Sequence, residues 1–161
     1  AQRLFAALFV FDSFVVALAY ALAFGGKSTR GDDDSPPWKS LVVALIATSR
    51  RAHSVFALRL FNDGPCATLT HVAVLALALD YRLLACVVYS LAVSVKMSAL
   101  LYAPAWYVVL ASKGGHLGAW KGVAACAVVQ ALVAVPFLAA DPRAYLTRAF
   151  DLGRGFKHKW S

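Results

Sequence analysis

The sequence predicts an all-α fold: a polytopic bundle of transmembrane helices forming a single domain. Three observations carry that reading. Apolar residues make up 61% of the 161 positions and charged residues 15%, with a mean hydropathy of +0.67, whereas a soluble domain is roughly half apolar and a quarter charged. The apolar residues gather in blocks at 4–24, 38–61, 65–79, 83–95, 97–112 and 122–140. Period-2 alternation is absent, and richness in Ala, Leu and Val suits helices better than a membrane β-barrel.

Block 4–24 is long enough to cross a hydrocarbon core of about 30 Å, which takes roughly 20 residues. It does not read as a signal peptide, because it is too long, contains Asp12 and leads into no soluble domain. Segment 25–39 (GGKSTRGDDDSPPWK) is a loop. Its run Asp32-Asp33-Asp34 reads as a solvated tip rather than a metal site. Blocks 65–79, 83–95 and 97–112 fall short of a full span, which predicts tilted, broken or paired half-helices. Segment 112–121 (SKGGHLGAWK) is a second loop with His116 exposed, and Asp141-Pro142 after block 122–140 is a helix start. No internal repeat is visible. The chain reads as an interior piece of a larger membrane protein.

All eight acids are aspartates, against sixteen Lys and Arg, for a net charge of +8. In a membrane protein that excess means anionic headgroups, anionic substrates or topology signals. Cys66, Cys86 and Cys126 are isolated in or beside apolar blocks, with no metal spacing, and read as buried free thiols. Lys96 stands in the middle of the apolar stretch 83–112. At mid-membrane depth a lysine costs at least about 2.5 kcal/mol, so it either pairs with something or snorkels to an interface. If 83–112 is two short legs with Lys96 near their turn, then 49–63, Lys96 and 141–161 share one membrane face. The loops 25–39, 80–82 and 112–121 then share the other. The first face is the richer in cations. Topology alone would make it cytoplasmic, but a site for phosphate gathers cations wherever its substrate is.

Three constellations stand out on that face. From Ser49 to Asp63 the chain reads SRRAHSVFALRLFND, and on a helix Arg59, Asn62 and Asp63 share a face, with His53 nearby. From Ser90 to Pro104 it reads SLAVSVKMSALLYAP, centred on Lys96, an ammonium suited to a lipid-linked phosphate. From Asp141 to Ser161, Arg148, Asp151 and Arg154 recur at three-residue steps among aromatics that end in Trp160. An anionic-substrate surface fits this mix; an interfacial anchor is the alternative, and the membrane neighbour argues against nucleic acid.

Together these stretches resemble the dolichyl-phosphate-mannose-dependent α-1,3-mannosyltransferase family of asparagine-linked glycosylation, of the GT-C class. The family patterns are similar to S-x-R-x-H-S-x-F-x-L-R-L-F-N-D, S-L-A-V-S-V-K-M-N-x-L-L-x-A-P and F-D-L-G-R-x-F-x-x-x-W-T. They match here at Ser49–Asp63, Ser90–Pro104 and Phe150–Ser161. Three departures are Gly64 before Pro65, Ser98 for Asn and Ser161 for Thr.

The resemblance implies part of a GT-C fold in the endoplasmic-reticulum membrane. It implies an inverting transfer of mannose from dolichyl-phosphate mannose to a lipid-linked Man5GlcNAc2 oligosaccharide, without cofactor or metal. His53, Arg59, Asn62, Asp63, Lys96, Arg148, Asp151, Arg154 and Trp160 are the expected substrate-binding residues, and membrane lipid the surroundings. The catalytic carboxylate is expected upstream of Ala1. The rivals are another dolichyl-phosphate-sugar transferase and a non-enzymatic lipid-phosphate-binding or transporter-like subunit.

Overall fold

The computed structural model describes residues 2–24, 44–45, 48–50, 54, 56 and 61–149. Among them every regular element is helical and no strand occurs. The elements are α1 (Gln2–Phe24), α2 (Asp63–Ala78), α3 (Arg82–Val95), a 3₁₀ segment (Met97–Tyr102), α4 (Ala103–Ala140) and α5 (Pro142–Ala149).

Packing follows the logic of lipid rather than water. Ala73, Ala85, Cys86, Ala92 and Ala119 are fully buried, while Leu4 is 72% and Leu101 82% exposed. Small side chains let helix backbones approach where no hydrophobic drive separates inside from outside, and the large apolar ones face the hydrocarbon. A water-soluble surface does not carry apolar patches of this extent. Gln2–Ala23 and the stretch Met97–Ala140 are long and apolar enough to cross a membrane. The chain is an all-helical membrane domain.

Helices α2 and α3 form an antiparallel hairpin. Its turn is a helix C-cap with Asp80 in the left-handed region, φ 65°. The Tyr81 N–H reaches back to the Ala76 carbonyl at 2.9 Å and the Asp80 N–H to that of Leu77 at 3.2 Å, the pairing that satisfies last-turn carbonyls. Glycine is the usual occupant of that position; here the Asp80 carboxylate compensates by accepting from Arg82 Nε at 2.9 Å and Nη2 at 3.1 Å.

Helix α3 sits at the centre. Behind it the chain breaks at Lys96, whose backbone is extended at φ −150°, ψ 120°. The 3₁₀ segment follows, and Pro104 then opens α4 within its first turn, where a missing N–H costs nothing. The leg expected over 97–112 is therefore 3₁₀ for its first residues.

The loop expected over 112–121 is also corrected. The chain stays helical there except at Gly115, whose φ of 68° and ψ of 177° lie in a region essentially only glycine can occupy. One residue makes the reversal that a loop was expected to make. The limb 103–114 thus runs back along α3, bringing Gly114 against Arg82, and the limb 116–140 returns, bringing Gly122 against Leu110 and Cys86. A Cβ on Gly122 would lie 2.7 Å from Leu110 Cδ1 and 2.9 Å from Cys86 Sγ, so this glycine serves close approach, not backbone freedom.

Candidate functional site

Asp63 and Lys96 are nearly equidistant in sequence from the turn at Asp80, so an antiparallel hairpin brings them level. Asp63 opens α2 and Lys96 follows the last residue of α3. Their side chains form an ion pair, Lys96 Nζ to Asp63 Oδ1. Each charge also suits its helix end: the carboxylate lies at an N-terminus and the ammonium at a C-terminus. The pair is tied down from below by Cys66 Sγ, which donates to the Ala92 carbonyl at 3.6 Å.

Two features make this pair more than a helix staple. Its members keep 42% and 46% of their side-chain surface accessible, so an incoming anion can reach the ammonium. And α3 has 14 residues, or about 21 Å of rise. That is shorter than the roughly 30 Å of a hydrocarbon core, and a lysine at the end of such a helix in a membrane protein needs a counter-charge, which Asp63 supplies.

The last turn of α3 is held from the side by α4. Gln130 Nε2, with two hydrogens to give, lies within hydrogen-bond distance of the Ser90 carbonyl at 2.7 Å, Ser90 Oγ at 2.9 Å and Ser94 Oγ at 3.0 Å. Ser90 Oγ in turn donates to the Cys126 carbonyl at 2.9 Å. The same contacts set Gln130 close to the level of Ser94. Asp141 lies eleven residues further on, about 16 Å of helix, so α5 with Arg148 lies beyond Lys96 at the same end of the bundle. Asp141 caps α5, accepting from the Ala144 N–H at 3.0 Å.

Of the residues singled out from sequence, the structure thus joins Asp63 to Lys96. It puts exposed Asn62 in the turn just ahead of α2, and exposed Arg148 at the same end. Asn62 is the N-cap of α2 and Asp63 its first residue; the shared face expected with Arg59 falls outside the described residues. His53, Arg59, Asp151, Arg154 and Trp160 lie outside the described residues.

The opposite end of the bundle has its own charges. Lys113 Nζ donates to the Leu77 carbonyl at 2.9 Å and lies 3.7 Å from Asp80 Oδ1. The hydrogen bonds from Arg82 are the main reason that the Asp80 carboxyl is held below the usual carboxylate range, with the nearby charges of Arg82 and Lys113 adding to them. This cluster closes the α2–α3 turn onto the end of limb 103–114.

Sequence reasoning missed one further pair. Asp12 of α1 is 7% exposed and meets His71 Nδ1 of α2 at 2.8 Å. The signal was available: a lone aspartate within block 4–24 needs a partner inside a membrane. His71 also borders a cavity of about 520 Å³ between α2 and limb 103–114, walled by Val74, Leu77, Trp106 and Val109. The three cysteines are free thiols, with Cys66 and Cys86 buried.

The profile of a family described as ALG3 protein matches residues 1–161. Over its whole length the chain is 39% identical to the Arabidopsis thaliana protein named Dol-P-Man:Man(5)GlcNAc(2)-PP-Dol alpha-1,3-mannosyltransferase, covering 34% of that protein. It is 41% identical to the Drosophila melanogaster Dolichyl-P-Man:Man5GlcNAc2-PP-dolichol alpha-1,3-mannosyltransferase Alg3, covering 29% of it. With the Homo sapiens protein that bears the same name as the Arabidopsis one, identity is 35% over the whole chain and coverage 34% of the relative. The chain spans about a third of the length of the curated relatives it matches. No solved structure matches it significantly.

Proposed function

This chain belongs to the ALG3 protein family, and from that premise we propose that the whole protein transfers mannose in α-1,3 linkage from dolichyl-phosphate mannose to Man5GlcNAc2-PP-dolichol. It does so as a multi-pass enzyme of the endoplasmic-reticulum membrane, with the Lys96–Asp63 end facing the lumen. The observation that supports a role for this stretch is the accessible ammonium of Lys96 on its counter-charge Asp63. Both substrates carry their phosphate on a lipid, so the phosphate arrives at a depth near the membrane boundary, where Lys96 waits.

The chemistry assigns roles by charge. When the acceptor hydroxyl attacks the anomeric carbon, the bond to phosphate breaks and negative charge collects on the departing dolichyl phosphate. A fixed cation that meets this charge lowers the barrier. Lys96 is that cation, and Arg148 with Arg154 extends the positive surface toward the acceptor's diphosphate. His53, Arg59, Asn62, Asp151 and Trp160 complete the substrate surface. We assign Asp63 to orienting Lys96 rather than to proton transfer, because its carboxylate is already occupied by that ion pair. The base is a carboxylate contributed by a part of the protein outside this stretch.

The test is complementation with the full-length protein in cells lacking the endogenous activity, with lipid-linked oligosaccharides read by mass. The reading requires Man5GlcNAc2 to be converted to a species one hexose heavier, with the new linkage cleaved by an α-1,3-specific mannosidase. Accumulation of unchanged Man5GlcNAc2 in the presence of well-expressed protein would refute it.

A further inference from the structure

The break at Lys96 has no breaker in its own sequence. Val95-Lys96-Met97-Ser98 contains neither glycine nor proline, and a lysine tolerates a helix interior well. The chain leaves the helix because something outside it demands the exit. Tyr89 makes two contacts that an unbroken helix forbids. Its hydroxyl donates to the Ala99 carbonyl at 2.9 Å, yet ten residues of continuous helix would separate them by about 15 Å. Its ring stacks on Trp106 with centroids 4.6 Å apart and planes 13° from parallel, yet seventeen residues of helix would put those rings about 25 Å apart. Tyr89 is 4% exposed and Trp106 8%, so both contacts are made in the interior. A buried phenol there needs an acceptor, and the Ala99 carbonyl becomes one only when the chain folds back.

We propose that Tyr89 is the positioning residue of the site: by pinning Ala99 and Trp106 it holds the chain reversal that presents the Lys96 ammonium to Asp63 and to the lipid-linked phosphate. Gln130 supports it from the other side by fixing Ser90 and Ser94, so the residue that breaks the helix is braced before and after. Tyr89 acts through Lys96 and does not touch substrate. The activity arm of its test rests on the mannosyl-transfer reading; the labelling arm does not.

The variant is Tyr89→Phe in the full-length protein, which keeps the ring on Trp106 and removes the hydroxyl. Two measurements are made. Site-resolved labelling with a water-soluble amine-reactive ester, read by mass at Lys96 with Lys113 as internal reference, reports whether the ammonium is still held. Turnover is measured alone and in the Lys96→Ala background. We expect Lys96 labelling to rise several-fold relative to Lys113. We expect kcat/KM to fall about five- to tenfold, the worth of one hydrogen bond, and no further fall from Tyr89→Phe once Lys96 is alanine, since coupled residues are not additive. Equal falls in both backgrounds with unchanged labelling would overturn the proposal and make Tyr89 a packing residue. Raised labelling together with full activity of Lys96→Ala would keep the pin and remove the mannosyl-transfer role of Lys96. If Tyr89→Phe accumulates poorly, Trp106→Phe, which trims the stacked ring and leaves the hydroxyl, is read by the same two measurements.

Discussion

The two polar ends of the hairpin contain the same ingredients and use them differently. At the turn, Asp80, Arg82 and Lys113 are close in sequence or anchored to backbone. Arg82 donates twice to Asp80, and Lys113 spends its ammonium on the Leu77 carbonyl as well as on that carboxylate. At the open end, Lys96 and Asp63 meet across 33 residues of separation, one bond between two half-exposed groups. The turn cluster is satisfied by what the fold itself supplies. Among the described residues the open-end pair makes this one bond: an ammonium has three donors, and a phosphate is the kind of acceptor that would take the others. On our proposal, the charges at the turn complete the fold and those at the open end are held for a ligand.

The sharpest way to break that distinction is to remove one lysine from each end. In the full-length protein, Lys96→Ala is expected to cut turnover by about two to three orders of magnitude, the usual effect of losing a preorganised group at developing charge. Lys96→Arg is expected to recover it only in part, because a planar fork does not replace a compact ammonium. Lys113→Ala is expected to lower thermal stability slightly and leave turnover per folded molecule close to wild type. Equal losses from the two alanines, measured as initial rates on matched amounts of protein, would erase the difference between the ends.

Next in size is the reversal that returns α4 to the open end. Gly115→Ala puts a side chain at φ 68°, ψ 177°, and should cost about 1–3 kcal/mol of stability. Space is not the reason, since nothing lies within 4 Å of the added Cβ. Gly118→Ala, equally open but helical, serves as the contrast and should be neutral or mildly stabilising. Thermal unfolding in detergent of the two variants separates backbone strain from bulk. A Gly115→Ala protein as stable as wild type would mean that the limbs are not held by this residue.

Much of this architecture was legible in the sequence, and the reasons for the misses are specific. Apolar blocks and their polar edges located α1, α2 and α3 because membrane helices must be apolar over their length. Lys96 in 83–112 signalled a break because a single span of that length would overshoot the bilayer. The reversal between 97–112 and 122–140 was expected, but as a ten-residue loop, because glycine, lysine and histidine look like a loop, whereas one residue with φ open to it is enough to turn a helix. Tyr89 and Gln130 were invisible because their partners are backbone carbonyls and hydroxyls far along the chain, and no local pattern announces a phenol bonded to Ala99. Asp63 and Lys96 were each singled out, but as members of separate motifs; their pairing follows from hairpin symmetry about Asp80, a turn with no glycine to announce it.

A smaller effect tests the open-end pair from its acidic side. Asp63→Asn keeps the shape and removes the counter-charge. If Asp63 orients Lys96 and is not the base, turnover should fall by about tenfold, the range of one charge-assisted hydrogen bond, and remain measurable, with KM for the lipid-linked donor rising more than kcat falls. Loss of all turnover while donor and acceptor still bind would place the base within this stretch after all.

The smallest expected effect belongs to the turn, and it has a sign that pH can read. Asp80 is held below the usual carboxylate range mainly by hydrogen bonds from Arg82. A depressed carboxyl contributes stability that is fully present above its unfolded value, near 3.9, and is lost as pH falls through the lower folded value. Between neutral pH and about 5 the turn should therefore be indifferent to pH; below about 4 it should loosen. The side chain is exposed, so the effect is screened by salt and should shrink as ionic strength rises. Amide hydrogen exchange at Leu79 to Arg82, compared between pH 6 and pH 3.5 after correction for the intrinsic rate, reads it locally. Asp80→Gly keeps the left-handed backbone and should abolish the pH dependence while preserving the neutral-pH protection of the Tyr81 amide. Asp80→Ala loses both the charge and the favourable backbone, so protection at Tyr81 should fall at every pH. If Asp80→Gly instead keeps the acid-induced loosening, the pH sensitivity arises elsewhere, and the contrast between a self-satisfied turn and the open end we propose as a ligand site loses its electrostatic half.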